Sequence, residues 1–281
     1  MLQIHFVDGE KGGIGKSFFC RTLIDYCLFK GAFVHVVDAD TTNPDVSRFY
    51  PEISSCLTFS QKESLVFEAD RLMHLAASKP VIVNLPAQSH FSVREWMEKN
   101  YLLSLDDELS LEIYKWFVCT GTEDSISLFI RSLVDYRGSY VKHVLVKNLA
   151  FCQNWDFLKS DSRFVESGGL DVPTIEIGAL ARFEFETLAS KNLTFNAATR
   201  STPSSPSGLR MLSQKRVYDY FKRSIEALDA LSLIQFYSVD PVPPPSFDSP
   251  PNRTDSKQDI STFPESPTVP ETESYVIAVD F

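Results

Sequence analysis

The chain has 281 residues, 43% of them hydrophobic and 23% charged, with a formal net charge of −10. That length suits one large domain and is short for two of full size. The acidic balance speaks against a globally basic nucleic-acid binder. No apolar run approaches the roughly 20 residues of a membrane span and no signal peptide precedes the first motif, so a cytoplasmic chain with at most peripheral membrane contact is expected. Five scattered cysteines without a CxxC pair (Cys20, Cys27, Cys56, Cys119, Cys152) are expected to be reduced core thiols.

Leu2, Ile4, Phe6 and Val7 alternate like a strand that ends at Asp8-Gly9. Lys11-Gly12-Gly13-Ile14-Gly15-Lys16-Ser17 follows, and then Phe19, Leu23, Ile24, Cys27 and Leu28 at the spacing of one helix face. Strand, glycine loop and helix form the context that a phosphate-binding loop requires. The glycines let backbone N–H groups turn inward, and the helix N-terminus behind them favours an anion. Lys16 is expected to reach the β- and γ-phosphates, and the Ser17 hydroxyl to bind Mg²⁺. Gly12, Gly13, Ile14, Gly15, Lys16, Ser17 and Phe18 are therefore the expected nucleotide-binding set. The common form of this motif has glycine six residues before the lysine; here Glu10 stands there, and a second lysine, Lys11, lies inside the loop.

Gly31 reads as the C-cap of the first helix, and residues 33–37 as a second, fully buried strand. That strand delivers Asp38-Ala39-Asp40 to the carboxyl end of the sheet, where α/β proteins place ligands. Residues 41–45 are a loop by composition, and 52–63 fit neither period. Leu65, Ala69, Leu72, Met73 and Ala76 have helical spacing. Residues 80–86 read as a third parallel strand, 114–119 as the next, and Ile126, Phe129, Ile130, Leu133 and Val134 as the face of a following helix. His143-Val144-Leu145-Val146 is a further strand, ending in Lys147-Asn148. Asn148 has two readings: an adenine contact, as such strand-end asparagines often make in P-loop proteins, or a simple turn residue. Residues 174–178 are the last expected strand. The fold class is therefore α/β, a P-loop NTPase with a mainly parallel sheet flanked by helices.

Residues 1–238 make up the expected domain, with a loop at 199–208 and a long helix over 209–236. That helix carries Lys215, Arg216, Lys222 and Arg223, which are either a patch for DNA phosphates or the solvated face of a docking helix alongside Asp219, Glu226 and Asp229. Residues 239–281 hold eight acids, two bases and nine of the sixteen prolines. They are expected to be a disordered acidic tail, because they cannot bury enough apolar surface to offset ordering entropy. The apolar tip at 275–281 is either a peptide for a partner's groove or a terminus without a role.

The KGGxGKS form of the 11–17 loop resembles the deviant Walker A motif of the ParA/MinD group of ATPases. With Asn43-Pro44-Asp45 and Asn84-Leu85-Pro86-Ala87-Gln88, the chain looks most like plasmid-mobilisation and conjugative-transfer ATPases of the TraL/MobD kind. The resemblance implies ATP with Mg²⁺, and a nucleotide-sandwich homodimer in which Lys11 contacts phosphate across the interface. It places Asp40 in switch I, near the attacking water and the metal; the alternative is a cap for the next helix. Pro86-Ala87-Gln88 resembles switch II. Asn84 stands where related ATPases carry an aspartate; it can orient water but brings no charge to a dication. Lys11, Lys16 and Asp40 are thus the implied catalytic residues, and Ser17, Asp40 and Asn84 the implied metal set. The implied role is a weakly hydrolysing switch in plasmid mobilisation, conjugative DNA transfer or partition, with a relaxase or another DNA-transfer or partition protein as partner. Asn84 keeps open a second reading, a nucleotide-gated adaptor with negligible turnover that recruits partners through its tail.

Overall fold

Among the described residues seven strands lie side by side, all but β3 on apolar runs: β1 (Leu2–Asp8), β2 (His35–Asp38), β3 (Ser54–Cys56), β4 (Val81–Asn84), β5 (Leu111–Cys119), β6 (Val141–Asn148) and β7 (Thr174–Ile177). Their order is β3-β2-β4-β1-β5-β6-β7, and every pairing is parallel. This computed structural model describes residues 2–9, 11–60, 62, 67–104, 111–200 and 209–236. The expectations for Glu10, Leu65, most of the 199–208 loop and the 239–281 tail with its tip lie outside them.

Helices cover both faces, as parallel strands buried on both sides require. Side chains alternate along β5: Trp116 and Val118 face α1 (Lys16–Phe29) and α8 (Met211–Leu231), while Phe117 and Cys119 face α4 (Glu123–Asp135) and α5 (Ser162–Glu166). On the α4 side of β1, Ile4 and Phe6 pack with α2 (Arg71–Ala76) and α3 (His90–Lys99). A further apolar cluster joins α6 (Arg182–Ser190) and α7 (Phe195–Thr199) to α8 through Leu188, Phe195, Val217 and Tyr220.

Several expectations need correction. The second strand starts at His35, not at 33; Phe33 is 66% exposed, outside the layer that pairs with β4. The edge strand β3 was hidden in 52–63 because Ser-Ser-Cys has no apolar alternation, and its pairing with β2 is what makes it a strand. Among the described residues, the helix read over 65–76 runs from Arg71 to Ala76, and Asp70 before it accepts from Trp96 Nε1 at 2.9 Å. Helices α3, α5, α6 and α7 were not anticipated; Thr199, assigned to a loop, ends α7. Instead of presenting one apolar face, α1 is enclosed nearly all round, so Arg21, Thr22 and Asp25 are buried with its apolar residues. All five cysteines are free, but Cys56 is exposed and Cys152 half-buried; only Cys20, Cys27 and Cys119 are core thiols.

The long C-terminal helix docks. Val217, Tyr220, Phe221 and Leu228 are buried against the body, and three of its bases pair with acids: Lys215 with Asp219 at 2.8 Å, Arg216 with Glu184, and Lys222 with Glu226 at 3.8 Å. Among the described residues, no helix is long and apolar enough to cross a membrane.

A charged network lies beneath the loop that follows β1. Lys115 on β5 is 1% exposed and sits 2.9 Å from the Asp8 carboxylate, which is fully buried. Lys115 also reaches Ser132 at 3.0 Å and His90 Nδ1 at 3.3 Å, and His90 Nε2 meets Asp135 at 2.8 Å. Burial pushes the Asp8 carboxyl up, but the Lys115 charge and the Gly9 N–H outweigh it and hold the group below its ordinary value. Burial also pushes His5 and His143 down to about 3, so both imidazoles stay neutral in the folded chain.

Candidate functional site

The Asp8 carboxylate accepts from the Gly9 N–H at 2.6 Å and so fixes the turn out of β1 into the loop. At the other end of the loop Gly15 precedes α1 with φ +96°, where a side chain would be strained; a Cβ there would also lie 2.7 Å from Asn148 Nδ2. The helix start carries no side-chain cap and no acid in its first turn. Its leading N–H groups are thereby left to a ligand, and the helix dipole favours a negative one. Lys16 is 8% exposed, and its ammonium donates to the Lys11 carbonyl at 2.7 Å, folded back over its own loop.

A cavity of about 340 Å³ opens on this helix end, within the size range of small-molecule sites. Gly12, Gly13, Gly15, Lys16, Ser17 and Phe18 line it from the loop and helix, and Asp40 from the segment after β2. The expected binding set and Asp40 are thus brought together at the carboxyl ends of the central strands. Ile14 is instead buried in the core beneath the loop, at 6% exposure. The remaining wall comes from Arg21, Asn43, Asp45, Arg48, Ala87, Phe185 and Ala189; Ala87 belongs to the turn that resembles switch II, Asn43 and Asp45 to the loop after Asp40, and the other four lie outside every motif read from the sequence. Arg21 had a usable signal, since it follows Ser17 by four residues on a helix whose start was already legible. Phe185 and Ala189 had none, because their helix carries no motif.

Asp40 shapes its own loop, accepting from Thr42 Oγ1 at 2.8 Å and from the Asn43 N–H at 3.1 Å. The capping role belongs to Asp38: its Oδ2 accepts the Val46 and Ser47 N–H groups, both at 2.9 Å, at the short 3-10 turn Ser47–Phe49. Asn84 Nδ2 donates to the other Asp38 oxygen at 3.0 Å, and Asn84 Oδ1 is buried without a protein partner. Asn148 ends β6 behind the glycine loop. Its Nδ2 donates to the Ile14 carbonyl at 2.9 Å, and its Oδ1 accepts the Ala150 N–H at 3.0 Å, so it braces the glycine loop from behind. Lys11 lies against α4, its ammonium 2.6 Å from Asp124, with both side chains largely exposed.

The donors fit a hard cation in part. The Ser17 hydroxyl and Asp40 carboxylate share the cavity wall and are oxygen ligands of the kind Mg²⁺ takes alongside phosphates. Asn84 is committed to Asp38, and its orphaned Oδ1 suits an ordered water. No cluster of three or more acidic, histidine or cysteine side chains suited to a metal occurs among the described residues.

The Asp38–Asn84 pair explains why an amide is tolerated at the end of β4. An aspartate there would set a second buried carboxylate beside Asp38, and one of the two would be driven to hold a proton. Asn84→Asp is expected to cost roughly 1–3 kcal/mol at neutral pH. Its folded-state pKa being raised, the deficit shrinks as pH falls toward that value. Urea unfolding at two pH values measures this; equal losses at both would show that no shared proton is involved.

No protein-family model matches the chain. It is 31% identical over 132 residues to Protein MobD of Acidithiobacillus ferrooxidans, a match covering 45% of this chain and 55% of that protein. The chain therefore spans about half the length of this curated relative, whose name agrees with the mobilisation resemblance read from the opening run through the glycine loop, residues 43–45 and residues 84–88. Similar solved structures include a nucleotide-binding protein in complex with ADP from Archaeoglobus fulgidus (13% identity, TM-score 0.44, 68% of this chain and 86% of that one). Two come from Borrelia burgdorferi: a plasmid partition protein (16%, TM-score 0.38, 68% and 94%), and a putative plasmid partition protein of strain B31 bound to AMPPNP (13%, TM-score 0.43, 82% and 99%). With TM-scores below 0.5, these likenesses leave the fold to rest on the strand order described above.

Proposed function

We propose that this chain is a nucleotide-dependent switch of the ParA/MinD kind, binding ATP with Mg²⁺ at the 11–18 loop and acting in plasmid mobilisation, conjugative transfer or partition. The observation that carries the reading is the cavity in which an uncapped helix start, Lys16, Ser17 and Asp40 converge at the end of the central strand. Ser17 and Asp40 would hold the cation, whose charge offsets that of the phosphates. The similarity to MobD supports the mobilisation setting, with a relaxase or related DNA-transfer protein as the proposed partner.

In this reading the ATP-bound form is a sandwich homodimer and Lys11 crosses to the partner's phosphates. Lys11 would first leave Asp124. Exposed ion pairs contribute at most about 1 kcal/mol, so a desolvated triphosphate competes readily for the ammonium. Lys11→Ala is expected to bind ATP as a monomer nearly as well as wild type, yet to stay monomeric with a slowly hydrolysed ATP analogue. Light scattering reads the mass, and a Lys11→Ala dimer would remove the trans-lysine mechanism. Asn84 favours the second reading, the adaptor with negligible turnover, because it brings no charge to the metal side. Steady-state phosphate release with and without DNA and a relaxase separates the two.

A further inference from the structure

We propose that Arg21 is a second cationic contact for the nucleotide's phosphate chain, on the wall of the same cavity and outside the glycine-loop motif. The proposal rests on the reading that this cavity takes nucleotide phosphates. Arg21 follows Ser17 by four residues on α1, so the two share a helix face about one turn, or roughly 5–6 Å, apart. The residue is only 4% exposed, yet it lines the cavity beside Lys16 and Ser17. Its guanidinium carbon lies 3.5 Å from the centre of the Phe49 ring, which fixes the plane of the fork. One nitrogen donates to the Leu193 carbonyl at 3.1 Å, while the buried Nε–H has no partner. A guanidinium carries five N–H donors, so a single carbonyl leaves it far from satisfied.

Its charge is equally under-compensated. The neighbouring acid, Asp25, is buried one turn further along α1 and accepts the Phe195 N–H at 2.5 Å. Burial pushes that carboxyl up to about 7, so its charge offsets the guanidinium only in part near neutral pH. Burial likewise pushes the Arg21 guanidinium down from its ordinary value. Buried cations are normally paired with an anion, and a polyphosphate entering this cavity supplies one. Arg21 would then hold the phosphate chain and the Leu193 carbonyl together. Leu193 leads from α6, which carries the cavity residues Phe185 and Ala189, into α7. Bound phosphate would thereby tighten that corner.

The test is titration calorimetry on the full chain with two probes, ATP and tripolyphosphate, each with Mg²⁺ at low and high salt. Arg21→Gln is expected to weaken both probes about tenfold or more at low salt, the size of one lost charge-assisted hydrogen bond. It should also flatten the salt dependence of affinity, which a purely structural role would leave unchanged. Should Arg21→Gln fail to fold, Arg21→Lys keeps the stem and charge. It is expected to retain the salt dependence and lose affinity several-fold, because an ammonium cannot serve Leu193 and phosphate in one plane. Wild-type affinity and slope in the folded variant would overturn the proposal. If Lys16→Ala loses binding while the Arg21 variants keep it, the nucleotide reading stands and Arg21 alone is wrong; if the wild-type chain binds neither probe, both fall.

Discussion

Replacing Lys16 by alanine is expected to weaken ATP binding about 100-fold or more, corresponding to roughly 3 kcal/mol. The ammonium is the loop cation on the cavity wall; the other loop lysine, Lys11, is drawn off to Asp124. In the chain as folded, Lys16 holds the Lys11 carbonyl at 2.7 Å, a bond to a neutral oxygen that a phosphate oxygen would better. The gain on exchanging carbonyl for phosphate appears only with ligand present. The variant should therefore melt within a few degrees of wild type without nucleotide and lose the melting shift that nucleotide confers on wild type. Calorimetry with ATP measures the loss directly. Unchanged affinity would mean that the cavity at the helix start is not where the nucleotide binds.

The loop was legible because its physics is local. Glycines, lysine and a hydroxyl at fixed spacing between an alternating strand and an amphipathic run need no tertiary information, and the structure brings Gly12, Gly13, Gly15, Lys16, Ser17 and Phe18 to the wall of one cavity. Every strand but the edge strand β3 was legible through its apolar content, although β5 begins three residues before the apolar core of its run. What escaped is set by contacts. The strand at Ser54–Cys56 exists through its neighbour β2. The pairing of Asp38 with Asn84 depends on β2 and β4 being adjacent, which brings two residues 46 positions apart into register. Asn148 could be read either as a base contact or as a turn; its bond to the Ile14 carbonyl, a neighbour 134 positions away, was beyond the reach of local pattern. Arg21 and Asp25 look like the polar edge of an amphipathic helix until α7 and α8 close over them.

Lys115→Met is expected to be the most damaging single change outside the loop, costing roughly 3–5 kcal/mol. That is a large part of the 5–15 kcal/mol typical of a folded domain. Methionine matches the lysine stem, so the β5 packing is kept and the loss falls on charge. Asp8 would be left with no countercharge in a site of zero exposure. Its folded pKa would then rise above the unfolded value, so that the folded state takes up a proton. Stability of the single variant should therefore recover as pH falls toward that raised pKa. His90 works in the same direction. Relieved of the Lys115 charge that helps hold its pKa down, it can protonate against Asp135 and offer a partial replacement cation. Adding Asp8→Asn should restore most of the loss at neutral pH, because neither buried charge remains and the amide oxygen still accepts the Gly9 N–H. Urea unfolding of the four proteins closes the double-mutant cycle, and a coupling below about 1 kcal/mol would show that the pair is not what holds Asp8. Because Asp8 also fixes the turn into the glycine loop, Lys115→Met should weaken ATP binding through geometry, and the double variant should regain it together with stability. Regained stability without regained affinity would instead assign the Asp8 charge itself to the nucleotide site.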